Sequence, residues 1–174
     1  MRPDLNLLDI RGNVDTRLRK LDEGQYDAIV LAAAGLERLG LLDRVTEWLD
    51  PQAFVPAVGQ GALAVEVRAD DSFMIELVSG LNDPDTSTAV RAERAFLARL
   101  GGGCSLPVGA YATLAGDKLH ITGLIGSVEA GGTIIRGEYV GHAQWAEEAG
   151  VALAESLLAR GGREVVEASE VGTL

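Results

Sequence analysis

The chain has 174 residues, 47% hydrophobic and 24% charged, a balance that supports one or two globular domains with a real core. Its 26 Asp and Glu outnumber 15 Lys and Arg for a formal charge of −11, which argues against bulk attraction to nucleic acid or an anionic membrane. One cysteine and two histidines exclude an intrachain disulfide and make a metal cluster unexpected, and the absence of a signal-like start or of an apolar run near the roughly 18 residues of a bilayer span leads us to expect a soluble, cytoplasmic protein.

In chain order, residues 5–10 read as a strand, and Asn13 as the N-cap of a helix carrying Val14, Leu18 and Leu21 on one face and ended by Gly24. Residues 27–33 are a continuous apolar run of the kind buried on both faces of a sheet, which gives a β-α-β unit with a parallel crossover. Parallel sheets need several strands, and only 62–67 offers another. The opening half is therefore expected to be incomplete, with an N-terminal segment or a partner chain supplying the rest of the sheet.

The second half is better balanced. After the turn at Asn82-Asp83-Pro84-Asp85, a helix is predicted over 86–100 with Val90, Phe96, Leu97 and Leu100 turned to a core and Gly101 closing it. Three strands follow at 108–114, 118–127 and 133–140, with turns at 115–117 and 129–132, and then a helix over 143–159 with Ala146, Gly150, Leu153 and Leu157 on one stripe. The unit reads as α-β-β-β-α, helices over an antiparallel three-stranded sheet.

Cys104 lies between the first helix and first strand of that unit, behind Gly101-Gly102-Gly103 and ahead of Pro107. A lone cysteine is more often a small buried hydrophobe than a working group; the glycines, which strip bulk from the backbone, favour a thiol able to accept a large partner. Two cationic clusters are visible, Arg11, Arg17, Arg19 and Lys20, and Arg91, Arg94 and Arg99. Each alone reads as a solvated helix face with ordinary ion pairs, or as the grip for an anionic ligand in an acidic protein. Gly59-Gln60-Gly61 is equally a bend entering a strand or a ligand loop in which Gln60 orients a polar group. Arg38 follows the 27–33 run at its carboxyl end, where open α/β sheets bind ligands.

In order, these residues resemble the porphobilinogen deaminase (hydroxymethylbilane synthase) family. The resemblance is carried by Leu8-Asp9-Ile10-Arg11-Gly12-Asn13-Val14 with Thr16-Arg17-Leu18, by 26–36 with Arg38-Leu39-Gly40, by Pro56-Ala57-Val58-Gly59-Gln60-Gly61-Ala62, and by Glu93-Arg94 through Gly102-Gly103-Cys104 with Pro107, Gly109, Ala110 and Tyr111. Four blocks in the right order cover nearly the whole chain. Leu106 stands where the family usually has a β-branched residue, a swap that preserves packing.

The resemblance implies a transferase of tetrapyrrole (heme and chlorophyll) biosynthesis that joins four porphobilinogen molecules head to tail, releasing ammonia and then hydroxymethylbilane. It implies a dipyrromethane cofactor held by Cys104 through a thioether, and carboxylates of porphobilinogen and the oligopyrrole chain held by Arg11, Arg17 and Arg38, with Gln60 lining the same cleft. It implies an incomplete periplasmic-binding-protein-like α/β domain over 1–57, a crossing segment of the family's first domain over 58–81, and a C-terminal cofactor-anchoring domain over 82–174. The family's catalytic aspartate belongs to an N-terminal domain; Asp9, Asp15 and Asp27 match no such motif, so no catalytic residue is expected here and the chain alone is expected to be inactive. The alternative of another class is a noncatalytic cofactor- or carboxylate-binding module of the same descent.

Overall fold

The computed structural model describes residues 4–101, 106–127 and 132–171. The chain divides into two compact units, Met1–Leu49 and Asp50–Leu174.

In the first unit, α1 spans Val14–Asp22 and α2 spans Ala33–Arg38, followed by a single helical turn at Leu42–Arg44. The predicted face of α1 is present: Leu18 is buried, with Val14 and Leu21 half-buried beside it. Gly24 takes φ +73° just past the helix end, as a C-terminal stop requires. Asn13 has the extended backbone of an N-cap, but its side chain makes no capping bond. Instead its carbonyl accepts the first intrahelical bond from Arg17 N–H at 3.0 Å.

The predicted strands at 5–10 and 27–33 are not strands, and neither is 62–67 in the second unit: none pairs with another described segment. A strand is defined by its neighbour's hydrogen bonds, and the apolar residues that suggested burial stand exposed, among them Leu7, Leu8, Val30 and Leu63. Ala33 is also reassigned, from strand end to the first residue of α2, where Ala-Ala-Gly-Leu-Glu-Arg is rich in good helix formers and Leu36 is buried.

In the second unit, α3 spans Ser72–Ser79 and α4 Pro84–Arg99. Strands β1 (Val108–Ala115), β2 (Lys118–Gly126) and β3 (Ile134–His142) form an antiparallel sheet in the order β1-β2-β3, followed by α5 (Ala146–Leu157) and α6 (Arg163–Val171). The predicted α-β-β-β-α unit is thus present, with α6 added after a wide turn at Leu158–Gly162. The β1–β2 hairpin turns at Gly116-Asp117 as expected. The second predicted turn, 129–132, falls mainly outside the described residues.

The core lies between the sheet and the α4–α5 layer. Phe96, Leu100, Leu119, Ile121, Ile125, Leu153 and Leu157 meet there, and all are almost wholly buried. Two glycines on the sheet let the helices sit close. A Cβ on Gly123 would lie 2.8 Å from the Phe96 ring, and one on Gly137 would lie 2.8 Å from a Leu157 methyl. The α4–α5 crossing is tighter: a Cβ on Gly150 would meet the Ala92 carbonyl oxygen at 2.1 Å, which explains the small residues Ala146, Ala149 and Gly150 on that face. Asp83 caps α4 by accepting from Thr86 N–H at 2.7 Å, and Pro84 follows at the first helical position, where its missing N–H costs nothing.

Candidate functional site

The sequence-predicted residues fall in both units. Arg11 and Arg17 flank the entry to α1. Between them Gly12 holds φ +120°, a conformation L side chains rarely adopt, and an added Cβ would lie 2.9 Å from a Thr16 methyl. The Arg17 Nε–H donates to the Gly12 carbonyl at 2.7 Å, and Lys20 Nζ donates to the Arg11 carbonyl at 3.2 Å. These two bonds fix the turn by its backbone and leave the exposed Arg11 guanidinium without a partner among the described residues. Tyr26 adds a third tie, donating its hydroxyl to the Asp9 carbonyl at 2.9 Å.

Arg38 occupies the last turn of α2 and is exposed, also without a described partner. Its spacing puts it on the same face of α2 as Gly35, one turn on. Gly35 lies against α1, where its Cβ position is 3.5 Å from a Val14 methyl. The first unit thus brings Arg11 and Arg17 together at one turn and sets α2, with Arg38, beside the helix they begin. Guanidinium groups with spare donors, at the turn before α1 and on the two helices, are what recognition of a carboxylate needs.

In the first cluster Arg19 makes an ordinary ion pair with Glu23 at 3.7 Å, and the second cluster is mostly paired in this way. Arg91 pairs with Glu147 at 3.7 Å and Arg99 with Glu155 at 3.2 Å, both across the α4–α5 crossing, while Arg94 is exposed and has no described partner. The reading of this cluster as a helix face with ordinary ion pairs therefore holds for two of its three members. Exposed pairs of this type are each worth about 0–1 kcal/mol.

Cys104 lies outside the described residues, as do Gly102, Gly103 and Ser105. On its near side α4 ends at Arg99 and Gly101 turns the chain at φ +103°; on its far side β1 begins at Val108. Gln60 is exposed, in a turn where Gly59 takes φ +70° and the Gln60 N–H bonds the Ala57 carbonyl at 3.1 Å.

The residue that plain sequence reading passed over is Glu93, named above only as part of a motif. It is 5% exposed, yet it is a carboxylate on the core side of α4. Its Oε1 accepts from Ala112 N–H at 2.8 Å and its Oε2 from Gly59 N–H at 2.7 Å. Burial pushes its carboxyl above the ordinary glutamate range, and the Gly59 and Ala112 amides pull it partly back. The signal was present in the sequence: Glu93 stands three residues before Phe96, so a helix that buries Phe96 turns an acid toward the core.

Among the described residues, no helix is long and apolar enough to cross a membrane. Residues 1–76 match a family model described as porphobilinogen deaminase, dipyromethane cofactor binding domain, and residues 87–159, which include Cys104, match the porphobilinogen deaminase C-terminal domain. Proteins named porphobilinogen deaminase are similar along 95% of the chain: 57% identical in Roseiflexus castenholzii, 55% in a second Roseiflexus and 51% in Pelobacter propionicus. The match covers 54%, 54% and 53% of those relatives, so the chain spans about half their length. With two domain models of one family in order along the chain and relatives at better than half identity, the chain belongs to the porphobilinogen deaminase family.

Proposed function

We propose that this chain is the cofactor-anchoring and carboxylate-binding portion of a cytoplasmic hydroxymethylbilane synthase. That enzyme joins four porphobilinogen molecules head to tail with loss of ammonia, in tetrapyrrole biosynthesis. The observation that carries the reading is the ordered match to both domain models, with Cys104 inside the second. The Cys104 sulfur is assigned the thioether to dipyrromethane, and Arg11, Arg17 and Arg38 the acetate and propionate groups of cofactor and substrate, with Gln60 lining the cleft. The donor set fits a polycarboxylate: the Arg11 and Arg38 guanidinium groups have no described partner, and Arg17 spends its Nε on a backbone carbonyl. When bound, dipyrromethane supplies the free pyrrole carbon onto which the first substrate unit is joined.

The chain's own residues then hold rather than react. Arginine stays charged at any working pH and grips a carboxylate through two parallel N–H donors, so the growing chain is oriented by its acidic arms. Cys104, through its thioether, would hold the growing chain on the protein. The catalytic aspartate is assigned to the part of the family's sequence that these residues do not include, and the isolated chain is expected to be inactive. In the same reading, 1–57 contributes to a periplasmic-binding-protein-like α/β domain, 58–81 crosses into the family's first domain, and 82–174 is the anchoring domain. The exposed apolar residues of 5–10, 27–32 and 62–67 support this, because such runs are suited to strands covered by further chain.

A second reading of the same residues is a binding module that holds cofactor or carboxylates without turnover. Two measurements separate the readings. Intact mass after expression in porphobilinogen-producing cells is expected to show two added pyrrole units, absent from Cys104→Ala; a folded protein with a free thiol sinks the anchor assignment. Ammonia release and bilane formation are then assayed with and without the remaining family sequence. Turnover only with that sequence supports the synthase reading, and an adduct without turnover in either case supports the module.

A further inference from the structure

Strand β1 is an edge strand, paired with β2 alone, so the N–H groups on its other side need partners from elsewhere. Two of them find partners in the Gln60 turn and the helix beneath it. Ala110 N–H donates to the Pro56 carbonyl at 3.1 Å, and Ala112 N–H donates to Glu93 at 2.8 Å. Gly109 makes the approach possible, since a Cβ there would lie 2.8 Å from the Pro56 oxygen. The second Glu93 oxygen then takes Gly59 N–H at 2.7 Å. One carboxylate on α4 therefore joins the strand that follows Cys104 in the chain to the turn that carries Gln60.

We infer that Glu93 is a positioning residue: its two oxygens clamp the Gly59-Gln60-Gly61 turn to the anchoring domain, fixing where the Gln60 side chain stands. The inference rests on the proposed role of Gln60 in the pyrrole-binding cleft. The chemistry of the clamp selects a glutamate. Both partners are donors, so the bridging group must accept twice; a glutamine accepts with its oxygen and presents an N–H₂ to the second N–H. An aspartate is one methylene shorter and reaches one partner at most. Burying a carboxylate is costly, and the cost is tolerated because both oxygens are paired. Few other ionisable groups bear on it: the 57–61 turn carries none, β1 contributes only Tyr111, and on α4 Arg91 and Arg94 are exposed, Arg91 being paired with Glu147 of α5.

The test is amide NMR on the ¹⁵N-labelled 174-residue chain. In the wild type, the Gly59 and Ala112 amide protons and the Gln60 side-chain amide are expected to titrate together, with one midpoint above the ordinary glutamate range. In Glu93→Gln, that titration is expected to vanish and Gly59 or Ala112 N–H to exchange at least about tenfold faster, while Ile121 N–H in the middle strand, the control for folding, stays protected. Glu93→Asp is not expected to restore both. Unchanged exchange in Glu93→Gln with an intact sheet overturns the clamp. A Gln60 side chain indifferent to the titration reduces Glu93 to a structural tie and overturns the positioning role. If Glu93→Gln does not fold, the wild-type titration decides alone: a shared midpoint supports the clamp, and separate or absent ones overturn it. A Cys104 without adduct defeats the proposed function and leaves all these shifts as they are.

Discussion

Glu93 and Gly150 lie on the two helices of one crossing, and each leaves a distinct mark on stability. At Gly150 the nearest neighbour of an added Cβ is backbone, the Ala92 oxygen at 2.1 Å, so no side chain can turn aside to admit a methyl. Gly150→Ala is therefore expected to destabilise the second unit by about 1–3 kcal/mol, the usual range for overpacking and well above the helix-propensity gain from alanine. A chemical denaturation midpoint no lower than wild type contradicts the crossing described. Glu93 acts through pH. Its folded-state pKa is raised, so the folded protein holds more protons than the unfolded chain between the ordinary glutamate value and the raised one. Its contribution to stability is complete below that window and falls as pH rises through it. Asp83 has the opposite sign: its bonds to Thr86 hold its carboxyl below the ordinary range, so its contribution is present at neutral pH and fades as pH drops. Thermal midpoints measured against pH are expected to lose the Glu93 limb in Glu93→Gln and keep the Asp83 limb.

Among the elements, those defined by local pairing were readable in advance. β1 to β3 are joined in sequence by short connections and pair each with the next, so the ladder itself is local and its signal lies in their own residues. The helix predicted over 86–100 is α4, which starts two residues earlier because Asp83, read as part of a turn, caps it; of the residues expected in the core Phe96 and Leu100 are buried, while Val90 and Leu97 are half-buried and Ala92 takes the buried place. The runs at 5–10, 27–33 and 62–67 have the composition of buried parallel strands, but composition does not specify the partner, and among the described residues none exists. α3 is not among the predicted elements, although Asp71 accepts from Met74 N–H at 3.0 Å and Phe73 and Leu77 share one face; both side chains are exposed, so the helix packs no stripe against a described core. The arginine and cysteine assignments came from the order of motifs; spacing alone left each of them open. A cap makes the element-scale test. Asp83→Ala is expected to lower the thermal midpoint at neutral pH and free the amides of the first α4 turn to exchange, whereas Asp83→Asn, which keeps an accepting oxygen, is expected to preserve most of both.

For the molecule as a whole, stability is divided unequally between the two units. Leu18 and Leu36 are the buried apolar side chains among the described residues of Met1–Leu49, while the α4–α5 layer and sheet supply the continuous core of Asp50–Leu174. Two bonds, Ala110 N–H to the Pro56 carbonyl and Gly59 N–H to Glu93, tie the 56–59 segment to that core, so an autonomous piece must keep it. Residues 50–174 are expected to unfold cooperatively when produced alone, and residues 1–49 to show no cooperative transition. Hydrogen exchange on the full chain reads the same division: β2 amides are expected at the protection limit set by global unfolding, and amides of 5–10 and 27–32 close to unprotected rates. The comparison that gives this meaning is a whole-length relative such as the Roseiflexus castenholzii protein, in which the matching segments are expected to gain protection of at least about a hundredfold, as strands bonded on both sides do. Equal exchange in both proteins means that these runs are not sheet strands of the family fold, and the assignment of 1–57 to an α/β domain falls with them.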